Sequence, residues 1–263
     1  MVGGIYGGYN ASAMYGTRSY LSQQASPANN FDYRAAQKQT QAYIDQYKQA
    51  QNTVTQLKKD SASFLDSYQQ SLKLLDKTAS AVQGQNFDKL LYGSAGRPAG
   101  ADAAPTQENI DKTAEAVQKM ADQFNSTLKT MNDNAKRGPG VERQIARMVS
   151  SPVSERSMAQ VGITVNKDGT LKVDSDKLKT ALKENTSVAR DVIGGSFGIA
   201  RGVQMDAQTG LRQAPSTLIA RDLASMKQQQ MDDSLTQMGM YSKSGAYNMA
   251  NLNSVGVLMN MLI

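Results

Sequence analysis

The pattern most suggestive of site chemistry is residues 166–169 (Asn-Lys-Asp-Gly), which is similar to the middle of a calcium-binding loop. An EF-hand loop needs an acidic ligand at its first position and a bidentate glutamate at its twelfth. With Gly169 at the sixth position, those places fall on Thr164 and Ser175, and neither residue supplies a carboxylate. The segment therefore predicts a turn between two strands and no metal site.

A second candidate is the glycine-rich segment 194–198, because glycine-rich loops can hold phosphate groups. A phosphate-binding loop follows a strand and opens a helix. This segment instead follows a helical pattern, so its glycines predict the end of a helix.

The residue types that most often carry out catalysis are missing, since the sequence has no histidine and no cysteine. Their absence removes the commonest general base, thiolate nucleophiles and the commonest metal ligands. Aspartate and glutamate remain, but no compact pair of carboxylates lies in an apolar context. We therefore expect no enzymatic activity, no cofactor and no metal.

The net charge of +6 is compatible with nucleic-acid binding. However, the basic residues are scattered, and no aromatic residues are interleaved with the densest group. This favours a solvated face over a phosphate-binding patch, so we expect neither nucleic acid nor membrane as a partner. No apolar run approaches the roughly 20 residues of a membrane span. The densest basic group consists of Lys136, Arg137, Arg143, Arg147 and Arg156.

The elements that would position these groups are mainly helices. Residues 32–82 carry a heptad pattern without proline or glycine, which predicts a helix about 75 Å long at 1.5 Å per residue. A helix of this length needs a packing partner. Its seam combines Tyr33, Thr40, Tyr47, Val54, Ser61, Tyr68, Leu75 and Val82 with Ala36, Tyr43, Ala50, Leu57, Phe64, Ser71 and Thr78.

The rest of the chain predicts shorter elements. A loop at 93–105 leads to a second heptad helix at 106–134 with Thr106 as N-cap, and the two helices predict an antiparallel pair. A short helix then carries an apolar face, a β-hairpin spans 161–174, and helices follow at 176–184 and 186–193. Residues 196–215 are expected to be a loop, followed by a helix at 216–240. The apolar face of the short helix consists of Val141, Ile145, Met148 and Val149.

The fold class is therefore mainly α, with long antiparallel coiled-coil-like helices, a small β-hairpin and flexible termini. We expect a flexible arm at 1–30, a helical domain at 31–195, and a loop, helix and apolar tail at 196–263. The tail is expected to dock either on the helical body or, as we favour, on neighbouring subunits. The candidate assembly residues are Leu252, Val255, Val257, Leu258, Met259, Met261, Leu262 and Ile263.

The stretch from about residue 110 to 195 resembles the C-terminal region of the flagellar hook-associated protein 2 family, the bacterial filament cap. In that family a hairpin with an aspartate–glycine turn leads to a helix reading Lys-Leu-x-x-Ala-Leu. Thr186 stands where the family often has proline, and the N-terminal third does not carry the family pattern. The matching residues are Gly162, Ile163, Asp168, Gly169, Leu171, Lys177, Leu178, Ala181, Leu182 and Asn185.

The resemblance implies an extracellular structural protein of the flagellum. It implies export without a cleaved signal peptide, assembly with copies of itself, and contact with flagellin or other axial proteins. The N-terminal residues show no signal-peptide pattern, which fits this expectation. The alternative is an intracellular coiled-coil adaptor or chaperone, and presence or absence in sheared filaments would separate the two.

Overall fold

The computed structural model describes residues 33–93, 104–150 and 153–244. These residues are mainly helical and contain one small antiparallel sheet, which confirms the predicted fold class. The predicted N-terminal arm and apolar tail lie outside the described residues. No helix within the described ranges combines the length and the apolar character that crossing a membrane requires.

The described helices are α1 (Tyr33–Ala81), α2 (Gly84–Tyr92), α3 (Gln107–Asp133), α4 (Pro139–Met148), α5 (Glu155–Gln160), α6 (Ser175–Glu184), α7 (Thr186–Ile193), α8 (Ile199–Leu211), α9 (Pro215–Leu218) and α10 (Ala220–Ser244). A 3₁₀ helix spans Ala135–Arg137, and the two strands are β1 (Ile163–Val165) and β2 (Leu171–Val173).

By its internal contacts the chain divides into two units, residues 1–49 and residues 50–263. In the first unit, side chains from residue 41 onward are mostly exposed. Gln41 Nε2 donates to Asp45 Oδ1 at 3.0 Å, a pair one helical turn apart that stabilises helix locally. The boundaries expected from the sequence, at 30/31 and 195/196, stay predictions.

One of the two seam positions of α1 is buried along the second unit, whereas at the other only Phe64 is buried and Ala50, Leu57, Ser71 and Thr78 are half-buried. Val54, Ser61, Tyr68, Leu75 and Val82 are all buried, as the pattern predicted. Two further residues, Leu72 and Ala79, are also fully buried although they lie beside the seam. The apolar stripe of α1 is therefore wider than a two-position coiled-coil seam, which indicates more than one packing partner.

One of these partners is α8, in a segment that we expected to be a loop; that expectation was wrong. Gln204 Nε2 donates to Ser80 Oγ at 2.6 Å, and Gln208 Nε2 donates to Asp76 Oδ1 at 3.0 Å. Residue numbers rise along α8 as they fall along α1, so the two helices are antiparallel. Gly202 and Gly210 lower the helix propensity of this segment, but its packing against α1 outweighs that effect.

Gly210 allows α8 to approach α1 closely. A Cβ atom at this position would lie 2.7 Å from Leu72 Cδ1 and 3.0 Å from Gln144 Cδ. The buried Tyr68 hydroxyl donates to the Gly210 carbonyl at 3.4 Å, and burial raises the pKa of that hydroxyl above its usual value. The absence of a side chain at Gly210 thus sets the spacing between the helices.

The short helix α2 was not predicted. The chain turns at Gly84, which has a φ of +53°, a conformation that glycine adopts readily. Phe87 and Leu91 then point into the core and are fully buried. A nine-residue helix after a glycine gives a weak periodic signal, so the sequence did not reveal it.

A partly buried ion pair ties α2 to α7. Arg190 Nε and Nη2 donate to the two carboxylate oxygens of Asp88 at 2.6 and 2.8 Å, which is a bidentate arrangement. Asp88 raises the pKa of Arg190, mainly through the side-chain hydrogen bond. The pair orients two short helices whose apolar side chains, Phe87 and Leu91 on α2 and Ala189 and Ile193 on α7, are buried in the core.

The predicted helix at 106–134 is present as α3, and Thr106 caps it by accepting a hydrogen bond from the Asn109 N–H at 3.3 Å. It contacts α1 at Ser71, whose carbonyl accepts from Gln123 Nε2 and Thr127 Oγ1, both at 3.4 Å. The expected contact between the two heptad helices is therefore present. The buried face of α3 consists of Ile110, Thr113, Ala114, Val117, Met120, Ala121, Phe124, Thr127, Leu128 and Met131.

The β-hairpin also forms as predicted, with Ile163 opposite Val173 and Val165 opposite Leu171. It is fixed to α3 by Asn125. The Asn125 amide donates to the Leu171 carbonyl at 2.8 Å, and its oxygen accepts from the Leu171 N–H at 2.7 Å. The hairpin is therefore part of the packed domain.

Candidate functional site

The predicted assembly residues at 252–263 lie outside the described residues, so their role stays a prediction. The described helix that leads towards them is α10, which runs to Ser244. A single helix over 216–240 was expected, but α9 and α10 are separate, with Ile219 between them. The described contact that lies nearest to these residues along the chain is the one between the start of α10 and α1.

The base of α10 is held by a network around Asp222. Its Oδ2 atom accepts from Ser61 Oγ on α1 at 2.9 Å and from Arg137 Nη1 at 2.7 Å. The Arg137 guanidinium also lies 5.3 Å from the centre of the Phe64 ring, within range of a cation–π interaction. Both charged side chains are largely shielded from water, so the contact is stronger than an ordinary surface ion pair.

A second, more exposed pair supports the same end of α10. Arg221 Nη1 donates to Glu142 Oε1 at 2.9 Å, and this hydrogen bond lowers the pKa of Glu142. The start of α4 fits closely beneath α9, because a Cβ atom at Gly138 would lie 2.5 Å from the Thr217 carbonyl oxygen. Together these contacts fix the direction in which α10 leaves the domain.

Beyond this base, α1 and α10 leave an open groove between them, which we call the helix groove. Leu57 of α1 is half-buried at one wall, and the small side chains of Ala224 and Ser225 leave space opposite it. Gln229 Oε1 is buried and has no hydrogen-bond partner among the described residues. The groove is lined by Leu57, Ala224, Ser225, Gln228 and Gln229.

The basic group expected to be a solvated face is divided among three elements. Arg137 is committed to Asp222. Arg143 and Arg147 are exposed on α4, while Lys136 and Arg156 are exposed on the 3₁₀ helix and α5.

The hairpin turn is stabilised by its own side chains. Asp168 Oδ1 accepts from the Thr170 N–H at 3.0 Å and from Thr170 Oγ1 at 2.6 Å. The hydrogen bond from the Thr170 hydroxyl is the main cause of the lowered pKa of Asp168. Within the described ranges no cluster of three or more potential metal-ligating side chains is found. That the turn binds no calcium stays a prediction.

Burial raises the pKa of the Asp206 carboxyl on α8 to about 6, and Arg147 opposes part of that rise. A folded-state pKa above the usual value means that the folded protein holds this proton more tightly than the unfolded chain does. The associated stability is fully present below about pH 4 and is lost as pH rises through about 6. At pH 7 the charged, partly buried carboxylate should destabilise the fold.

We therefore expect Asp206→Asn to raise the free energy of unfolding by about 1–2 kcal/mol at pH 7 and to change it little at pH 4. Urea denaturation of the wild type and the variant at both pH values measures this difference. Asp66→Asn, at an exposed position on α1, is the matched control. An Asp206→Asn effect of equal size at pH 4 and pH 7 would contradict the assignment.

Comparison with known proteins gives a family match that includes α3 to α10. A family model described as "Flagellar hook-associated protein 2 C-terminus" matches residues 101–254, which is more than half of the 263 residues. The match begins before α3 and extends beyond Ser244, where the described part of α10 ends. No curated protein and no solved structure matches the chain.

Proposed function

Because the chain belongs to the flagellar hook-associated protein 2 C-terminus family, we propose that it is a structural subunit of the filament cap at the tip of the bacterial flagellum. The family match is the observation that carries this proposal. It covers the elements from α3 to α10, including the hairpin and helix that resemble the family pattern.

The residues that carry this pattern have a packing role in this chain. Gly162 has a φ of +78°, and a Cβ atom there would lie 2.8 Å from both the Asp174 carbonyl oxygen and the Leu178 N atom. The glycine therefore lets the hairpin lie directly against the start of α6, where Leu178 is fully buried. This supports a role for the motif in building the subunit body, while recognition of partners falls to other surfaces.

We further propose that the subunits assemble through helical packing, with copies of the same chain and with flagellin or another axial protein as partners. The α1–α10 pair and the apolar residues at 252–263 supply the surfaces for this assembly. Flagellar location requires export from the cell, and we propose that this occurs without a cleaved signal peptide. In this proposal the protein has no catalytic role, and its activity is assembly.

The test is to locate the protein in cells and to remove it. An epitope-tagged chain should be found in sheared filaments and, by immunogold electron microscopy, at their tips. Deletion of its gene should abolish swimming, and expression of the intact chain should restore it. A protein that stays inside the cell and is absent from sheared filaments would contradict the proposal and favour an intracellular adaptor or chaperone.

A further inference from the structure

The chain contains a single Asp-Gly pair, Asp168–Gly169, and no Asn-Gly pair. Aspartate rearranges most readily to isoaspartate when glycine follows it, because glycine has no side chain to shield its backbone nitrogen. The pair lies in the turn between β1 and β2, where Asp168 is exposed to water and Gly169 is buried. The hairpin therefore carries a chemically labile peptide bond at its turn.

The rearrangement needs no enzyme and no reactant other than water. The Gly169 nitrogen attacks Cγ of the protonated Asp168 carboxyl, a C–N bond forms, the nitrogen loses its proton, and one carboxyl oxygen leaves as water. Water then opens the resulting five-membered succinimide ring. When water breaks the bond between the nitrogen and the Asp168 backbone carbonyl carbon, that carbon becomes a free carboxylate. The main chain then continues through Cγ, as isoaspartate.

In the folded hairpin the attacking nitrogen is held away from this reaction. The Gly169 N–H donates to the Asn166 carbonyl at 2.9 Å. A Cβ atom at Gly169 would overlap Val149 Cγ1 and would lie 3.6 Å from Leu128 Cδ2 of α3. Because these side chains pack directly on the glycine, its backbone cannot rotate towards the Asp168 carboxyl without losing both the packing and the hydrogen bond.

The carboxyl under attack is held by Thr170. Asp168 Oδ1 accepts from the Thr170 N–H at 3.0 Å and from the Thr170 hydroxyl at 2.6 Å. The hydroxyl is itself oriented by Asn166, whose Nδ2 donates to it at 2.8 Å. These bonds fix the Asp168 side chain and favour its ionised form. The ionised carboxyl reacts poorly, because a doubly charged oxygen would have to leave in place of water.

We propose that Asp168–Gly169 is a site of spontaneous isoaspartate formation that the folded hairpin keeps closed, and that Thr170 is the positioning residue that closes it. The site is open in an unfolded chain, where neither Thr170 nor Val149 holds the pair. Isoaspartate adds one methylene group to the main chain inside the turn, which is closed by the Asn166 N–H donating to the Thr170 carbonyl at 2.8 Å. The longer turn disrupts this bond and loosens the hairpin.

The first test compares the folded and the unfolded full-length protein. Both are incubated for several weeks in the same buffer, one with guanidinium chloride, and isoaspartate at residue 168 is measured by mass spectrometry of the peptides. The folded protein is expected to react at least about tenfold more slowly, because hydrogen bonds at both reacting groups must break first. Equal rates in the two states would overturn the proposal that the hairpin closes the site.

Two substitutions at residue 170 test the role of its hydroxyl. Thr170→Val keeps the shape but removes the hydroxyl, so the folded variant should form isoaspartate about tenfold faster, the effect of losing one hydrogen bond to a charged group. Thr170→Ser keeps the hydroxyl and should react like the wild type. Thr180→Val is the matched control, because the Thr180 hydroxyl donates within α6 to the Asp176 carbonyl at 2.9 Å, and it should leave the rate unchanged.

A second variant and a stability measurement separate the local contact from the fold as a whole. Thermal unfolding shows which variants are folded, since an unfolded variant would react faster for that reason alone. Asn166→Ala leaves Thr170 in place but removes the amide that orients its hydroxyl, so it should speed the reaction by a smaller factor than Thr170→Val. Folded variants that all react at the wild-type rate would overturn the role of Thr170.

Discussion

Replacing Leu72 with alanine is expected to lower the free energy of unfolding by about 3 kcal/mol, within the range of about 2–5 kcal/mol for large-to-small core changes. Leu72 lies on α1 and is fully buried where this helix contacts α8. Gly210 of α8 brings the two backbones close together at this point. Because the backbone spacing is fixed by several side-chain contacts, the structure can collapse only partly into the cavity. Leu74→Ala is the matched control on the same helix, since Leu74 is 51% exposed, and it should cost well under 1 kcal/mol.

The same site permits a double-mutant cycle. Gly210→Ala alone should destabilise the fold by about 1–3 kcal/mol, because the new methyl group overlaps Leu72 Cδ1 and crowds Gln144. In the Leu72→Ala background the added methyl group enters the vacated space, so its cost should be smaller. Chemical denaturation of the four proteins measures the coupling energy. Strictly additive effects would show that α1 and α8 do not meet at this point.

The parts of the fold that could be predicted from the sequence are those encoded by local patterns. The heptads of α1 predicted the burial of Val54, Tyr68 and Leu75, since a single helix face carries that information. The hairpin was predicted because its turn residues and alternating strands lie within a short segment. The end of α7 at Gly194 was likewise visible as a glycine signal.

The parts that could not be predicted depend on contacts between distant residues. Asp88 looks like a surface residue in the sequence, yet it is buried because Arg190 pairs with it. Leu72 and Ala79 widen the apolar stripe, which makes sense only once a further helix is known to pack beside α1.

The candidate site also combines features encoded by a local pattern with features that depend on contacts between distant residues. The apolar tail could be proposed from the sequence because its pattern is local, whereas the helix groove was missed because Leu57 and Ala224 come together only in the fold.

The largest functional effect is expected from the tail. Residues 251–263 contain eight apolar side chains among thirteen residues. Their burial could contribute on the order of 10 kcal/mol before ordering entropy is subtracted, at about 1.5–3 kcal/mol for each fully buried side chain. If neighbouring subunits provide the burial, removing the tail should abolish assembly while the described helical body stays folded.

A substitution series separates this effect from simple shortening of the chain. Changing Val257, Leu258 and Leu262 to serine should weaken assembly nearly as much as the deletion does, because it removes apolar surface without changing length. The matched control changes Asn251, Asn253 and Asn260 to serine, which keeps the apolar side chains and should leave assembly intact.

The most direct measurement is light scattering of the full-length protein and of a chain lacking residues 251–263, together with thermal unfolding and the motility of strains carrying each. The shortened protein is expected to melt like the full-length one but to stay monomeric, and its strain is expected not to swim. A shortened protein that is unfolded would assign the tail to the protein's own core. One that still assembles and supports normal swimming would contradict the claim that the tail joins the subunits.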